Sequence, residues 1–185
     1  MIKKCLSLLA MLCCLGALCK AQASYSTQNG HVRFSSDAPL ELIKASSDKL
    51  QGALDISKNT FAFRLEPASF VGFNGALQRE HFNENFLETS RHRFATFSGK
   101  IIEDIDWTSP GAHAVRAKGK LHLHGVEQER IIKCLVEIAG GKVKVSSSFS
   151  ILLEEHAILV PKVVRQKIAS EISVEVEAVL QKHEQ

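Results

Sequence analysis

The segment SEISVEVEAVLQ, Ser170 to Gln181, places Ile172, Val174, Val176, Ala178 and Leu180 at every second position, with Ser173, Glu175 and Glu177 between them. Side chains of an extended chain point alternately to opposite faces. A period of two therefore prescribes a strand with one dry and one wet face. The same period recurs through Val143, Val145, Phe149, Ile151 and Leu153, through Phe61, Phe63 and Leu65, through Ala95, Phe97, Gly99 and Ile101, and through Ile132, Cys134, Val136 and Ile138. Less marked strands are expected near Val32–Ser35, Leu40–Ala45 and Leu50–Ile56. About eight strands joined by short turns, with neither repeats nor a linker, predict one antiparallel barrel or sandwich.

The run HAVRAKGKLHLHGV, from His113 to Val126, divides into two parity classes. Val115, Ala117, Gly119, Leu121 and Leu123 form one; Arg116, Lys118, Lys120, His122 and His124 belong to the other. Unpaired ions are costly to bury, so the charged class faces water. On this reading His122 and His124 sit side by side on the solvent face, and Gly125, Glu127 and Gln128 turn the chain into the next strand. Two segments break the alternation. Phe70, Phe73, Leu77, Phe82 and Phe86 follow helical spacing within SFVGFNGALQREHFNENFLETS, which predicts one or two short helices. Pro161, followed by Val164 and Ile168 four residues apart, predicts another before the last strand.

The first 23 residues read differently. Lys3 and Lys4 precede an uncharged, mostly apolar run from Cys5 to Cys19, and Ala21-Gln22-Ala23 is a small-x-small site, the pattern of a secretory signal peptide. The run is short for a bilayer span, which takes about 20 apolar residues. A lipoprotein reading through Cys19 fits less well, because Leu18 precedes it where a small residue belongs. Cleavage after Ala23 leaves a single domain, residues 24–185, in the periplasm or secreted, with no stable membrane anchor. It removes Lys3, Lys4 and Lys20 from the 23 basic residues, leaving 20 against 20 acidic ones. A neutral domain argues against nucleic acid as partner, because phosphate binding needs concentrated positive charge. Only Cys134 remains, read as a small buried residue rather than a nucleophile.

Candidate chemistry is sparse. His113, His122, His124 and His156 supply enough imidazoles for a zinc site, and with it a metal-dependent hydrolase. A water-facing strand offers little to hold the rings, so the residues favour no metal and no catalytic group. His81 and Glu84 share a helical face and could act as an acid/base pair, but no nucleophile accompanies them. Asn83, Glu84 and Asn85 fit better as loop-fixing hydrogen-bonding groups. The inward class, Phe61, Phe63, Phe97, Leu121, Leu123, Phe149, Ile151, Val174 and Val176, either fills a core or lines a cavity. Eight-stranded barrels do both. Small inward residues (Ala95, Gly99, Ala117, Gly119, Ser147, Ala178) leave room between the bulky ones. A filled barrel would instead suit a stress-response or interaction module.

The order QREHFNENFLE, ATFSGKI, AKGKLHLHGVEQERIIKC, SSFSILLEEHAILVP and ISVEVEAVL resembles the YceI-like family of periplasmic proteins, from about Asn29 to Leu180. Gly119-Lys120-Leu121 through Gly125-Val126, and Arg79 through Asn85, are the most specific parts. Arg93 stands in the region where many relatives carry a proline, and Phe86 where an aromatic alcohol is common. The resemblance implies an all-β chain with short helices: an eight-stranded antiparallel, lipocalin-like barrel with an internal apolar cavity. It also implies a non-enzymatic role holding a polyisoprenoid or similar long apolar ligand, with no other cofactor, in a monomer or weak homodimer. The nine inward residues would then line the cavity. Arg79, His81, Asn83 and Asn85 would lie at the mouth, near a head group.

Overall fold

The computed structural model describes residues 24–182. The expected signal segment lies outside the described residues. Eight strands form the wall: β1 (Ser24–Ala38), β2 (Glu41–Asp55), β3 (Thr60–Leu65), β4 (Ala95–Ile101), β5 (Gly111–Leu123), β6 (Val126–Ala139), β7 (Lys142–Leu152) and β8 (Glu171–Lys182). Each pairs antiparallel with its predecessor, and β8 pairs back onto β1, closing an up-and-down barrel. Closure leaves no edge strand among the described residues.

The two segments expected near Leu40–Ala45 and Leu50–Ile56 are one strand. Its buried positions run Ile43, Ala45, Ser47 and then Leu50, Leu54, so the inward parity flips midway. β1 flips too, from Tyr25 and Thr27 to Gly30 and Val32. Register shifts flank Gly30 in the β1–β2 ladder, and a β-bulge supplies the extra residue that changes phase. A Cβ at Gly30 would lie 3.1 Å from Leu50 Cδ2 and 3.2 Å from Ala178 Cβ, so the bulge is packed inward against β2 and β8.

The β5–β6 connection is tighter than expected. Leu123 pairs with Val126, and the two residues between them take positive φ, 51° at His124 and 76° at Gly125. That is the geometry of a type I′ hairpin turn, whose twist matches the strands it joins. Glu127 and Gln128 belong to β6, not to the turn.

The two ends of the barrel differ. At one, the connections are residues 56–59, 102–110 and 140–141, and the interior is packed solid. Leu180 is fully buried, Val143 is nearly so, and Ile138 and Tyr25 pack with them. Trp107 Nε1 donates to Asn59 Oδ1 at 2.9 Å across two of those connections. At the other end lie the long connections, residues 66–94 and 153–170. The first holds a 3-10 turn (Pro67–Ser69), helix α1 (Ala76–His81) and a π-helical turn (Phe82–Phe86) closed by Leu87 N–H donating to Phe82 O at 2.9 Å. The second holds 3-10 turns at Leu153–His156 and Lys162–Val164; the expected helix after Pro161 is this single turn. Among the described residues no helix is long and apolar enough to cross a membrane.

Candidate functional site: an apolar cavity beneath the helical connection

The wall residues are placed by parity. On β3, Phe61 and Phe63 point inward; on β4, Phe97 packs against Phe61 with ring centroids 5.0 Å apart. Phe97 pairs with Leu121, and Phe149 with Val174. These side chains converge on a cavity of about 730 Å³, within the range of small-molecule sites. The barrel is therefore packed at one end and hollow at the other. Phe61, Phe63, Phe97, Leu121, Leu123, Phe149, Ile151, Val174 and Val176 all line the hollow. Leu54, Ile101 and Val136 also line it, above the packed end.

The small residues have two separate roles. Ala95, Ala117 and Ser147 line the cavity. Gly99 and Gly119 do not. They face each other across β4 and β5, and a Cβ on Gly99 would lie 2.1 Å from Lys118 O, one on Gly119 2.3 Å from Ser98 O. These glycines allow two backbones to approach, which no larger residue permits. Ala178 is buried in the packed part, beside the Gly30 bulge.

The roof comes from the helical connection. Phe34 of β1 stacks on Phe82 at 5.4 Å with 10° between the ring planes, and meets Phe70 edge-on at 5.0 Å. Phe73 lies 5.0 Å from Phe82. Leu77, Phe86, Leu87, Ile158 and Ile168 complete the cover. The roof is tied down by polar contacts: Gln78 Nε2 donates to Glu41 Oε1 at 2.8 Å, and Asn74 Nδ2 to Leu42 O at 3.1 Å.

Of the four polar residues expected at the mouth, only His81 lines the cavity. Arg79 turns away and donates to Ala68 O at 3.3 Å, and Asn83 Nδ2 donates back to Arg79 O at 3.0 Å. Asn85 is exposed. The helical rise explains this. Residues 74, 77, 78, 81 and 82 share one face and line the cavity, and Arg79 falls off it. The aromatic roof was the part that reading by parity could not assign. Its only signal is the helical spacing of Phe70, Phe73, Leu77, Phe82 and Phe86. Ser36, Lys167 and His81 supply polar atoms to the lining, and no ion pair engages Lys167 among the described residues.

The four histidines weighed as a zinc site do not converge. His113 lies at the start of β5, at the packed end, while His124 turns the chain at the other. His122 stays in β5, opposite Thr96 and Glu127. His156 is completely buried, and burial pushes its imidazole below the usual histidine range, outweighing the Val126 and Leu123 backbone carbonyls beside it. His124 is not beside His122 on the wet face. The I′ turn swings it off the strand, where its side chain is 13% exposed and meets Glu88 and His92 instead. Partial desolvation pushes the Glu88 carboxyl up, but Arg91 and His124 beside it outweigh this and hold it below the ordinary range. Cys134 lines the cavity as a free thiol that burial pushes up, so it stays protonated and is a poor nucleophile.

Comparison with known proteins agrees with this architecture. A family model described as YceI-like domain matches residues 22–180. A polyisoprenoid binding domain from Saccharophagus degradans, implicated in plant cell wall breakdown, superposes with a TM-score of 0.72 at 13% identity, covering 88% of this chain and 99% of its own. BcnA of Burkholderia cenocepacia gives 0.67 at 14% identity, over 82% and 95%. The Campylobacter jejuni YCEI protein gives 0.55 at 14% identity, over 71% and 78%. At these identities the likeness is one of fold. No curated protein matches the chain in sequence.

Proposed function

Because the chain belongs to the YceI-like domain family, we propose that it is an exported protein that sequesters or carries a long-chain, isoprenoid-like lipid inside its barrel, in the periplasm or secreted. The observation that carries this is the hollow itself: about 730 Å³ lined mainly by aliphatic and aromatic side chains, with its roof built largely from the two long connections rather than from the strands. The name of the Saccharophagus degradans neighbour points to the same ligand class.

The energetics suit sequestration. Each methylene withdrawn from water contributes about 0.8 kcal/mol, so ten contribute about 8 kcal/mol, comparable with the cost of immobilising a ligand. At about 30 Å³ per water-sized group, the cavity accommodates about two dozen such groups. Phe34, Phe61, Phe82 and Phe97 present rigid faces to the chain, and His81 and Lys167 meet a polar head group. Binding of this kind needs no bond-making step, and the protein acts as a monomer or weak homodimer.

The test is organic extraction of gently purified protein, followed by mass spectrometry. A defined long-chain molecule at near-equal stoichiometry is expected. Extracts without any apolar compound, together with failure to take up added polyprenol, would refute the reading.

A further inference from the structure

We propose that Glu88, His92 and His124 form a binding site for one divalent transition-metal ion of the zinc class, set outside the lipid cavity where the helical connection meets the β5–β6 turn. The proposal is independent of the lipid reading.

The atoms converge. Glu88 Oε2 lies 3.2 Å from His124 Nε2 and 3.7 Å from His92 Nε2, and the three candidate ligand atoms fall within 4.8 Å of one another. Metal–nitrogen and metal–oxygen bonds of about 2.0–2.1 Å in a tetrahedron put ligands about 3.3 Å apart. The existing spacings bracket that value. A small rotation of the His92 ring completes the set and leaves the fourth position for water.

Hydrogen positions follow from the partners. His124 Nδ1 lies 3.0 Å from the carbonyl oxygen of His156, which can only accept, so Nδ1 carries the hydrogen. Nε2 then faces the Glu88 carboxylate oxygen at 3.2 Å, a contact that needs a cation between the two atoms, either a second ring proton or a metal ion. The His92 ring converges on the same oxygen, with its centroid 4.8 Å from that of His124. Two separate ring protons would set two cations side by side, with Arg91 already 3.1 Å from the same carboxylate. One metal ion serves both lone pairs at once and leaves Glu88 Oε1 to Arg91, 3.1 Å away. Donation of the far ring nitrogen to a backbone carbonyl is how metal-ligating histidines are generally held in orientation.

The surroundings accommodate this arrangement. His92 packs on the turn: a Cβ at Gly125, where φ is +76°, would come within 2.7 Å of its Cε1, so glycine leaves room for the ring in this position. The side chains of His124, His92 and Glu88 are 13%, 23% and 33% exposed, sheltered but reachable. Two nitrogens and one carboxylate suit a borderline ion such as Zn²⁺ or Co²⁺ better than Ca²⁺ or Mg²⁺, which favour all-oxygen sets. Occupancy would pin residues 87–93 to the hairpin, where Leu87 and Leu123 line the cavity from the other side.

The experiment uses the full-length chain without a histidine tag, its thiols alkylated so that no cysteine contributes a ligand. Zn²⁺ is titrated in competition with a chromophoric chelator, and Co²⁺ by its visible absorption. One equivalent is expected, with tetrahedral Co²⁺ intensity and a Zn²⁺-dependent rise in Tm. His92→Phe, which keeps a ring but no ligand atom, and Glu88→Gln should each weaken binding by at least ~10-fold and abolish the Tm rise. His122→Ala should bind as the parent does. Absence of stoichiometric binding, or binding that survives both substitutions, or binding lost on His122→Ala, overturns the proposal.

Discussion

Filling the cavity from its own wall should shorten the ligand it accepts by a calculable length. Ala117 sits on β5 opposite Ile101 and Ile132, is 6% exposed and lines the hollow. Ala117→Phe introduces a phenyl ring of about 100 Å³, the room of three to four methylene-sized groups at about 30 Å³ each. At about 0.8 kcal/mol per methylene, the loss is about 3 kcal/mol for a chain that fills the parent cavity, or about 100-fold in Kd. The assay is displacement of a conjugated polyene fatty acid by a series of n-alkyl alcohols. In the parent, affinity should rise about fourfold per carbon and then level off. In Ala117→Phe the plateau should arrive three to four carbons earlier, with short chains unaffected. Leu135→Ala, on the outer face of β6 at 40% exposure, should leave the series unchanged. An identical plateau in Ala117→Phe and parent, at matched Tm, would mean that chains do not enter the hollow.

Other outcomes follow from the wall and its loops. Gly99→Ala should destabilise the barrel by about 2 kcal/mol in urea unfolding, because the new methyl meets backbone rather than a movable side chain. Gly75→Ala, with open space around the added atom, should cost less than about 1 kcal/mol. Asp106 accepts from Thr108 N–H at 3.0 Å, Thr108 Oγ1 at 2.6 Å and Ser109 Oγ at 2.7 Å, and the Thr108 hydroxyl foremost lowers its carboxyl from 3.8 to about 2. Since the folded-state value lies below the unfolded one, its contribution to stability is present above pH 3.8 and lost as pH falls toward about 2. Carboxyl NMR should report the low titration, and Asp106→Asn should remove that part of the acid-side loss of stability.

The wall could be read from sequence wherever alternation was unbroken. β8 carries one dry residue at every second position from Ile172 to Leu180, and its inward set is the one parity assigned. β1 and β2 were harder for a physical reason: the bulge at Gly30 reverses their phase midway, and Thr27, Ser36 and Ser47 are buried polar residues that break the apolar pattern. His124 escaped because parity holds only while the chain is extended, and a positive φ ends it one residue before Gly125. The roof escaped because most of its aromatics lie outside the strands, Phe70 and Phe73 before the short helix and Phe82 and Phe86 on the π-helical turn after it, where coverage depends on tertiary docking.

The ring of ladders closes on itself through β8 and β1, while the cover over the hollow is held by Gln78 and Asn74 on the Glu41–Leu42 rim. On the lipid-carrier reading, loading and emptying would proceed by lifting this cover, with every rung of the wall still in place. Turnover of cargo and loss of the native state would then run on separate clocks, and a guest could come and go many times within the lifetime of a single folded jar.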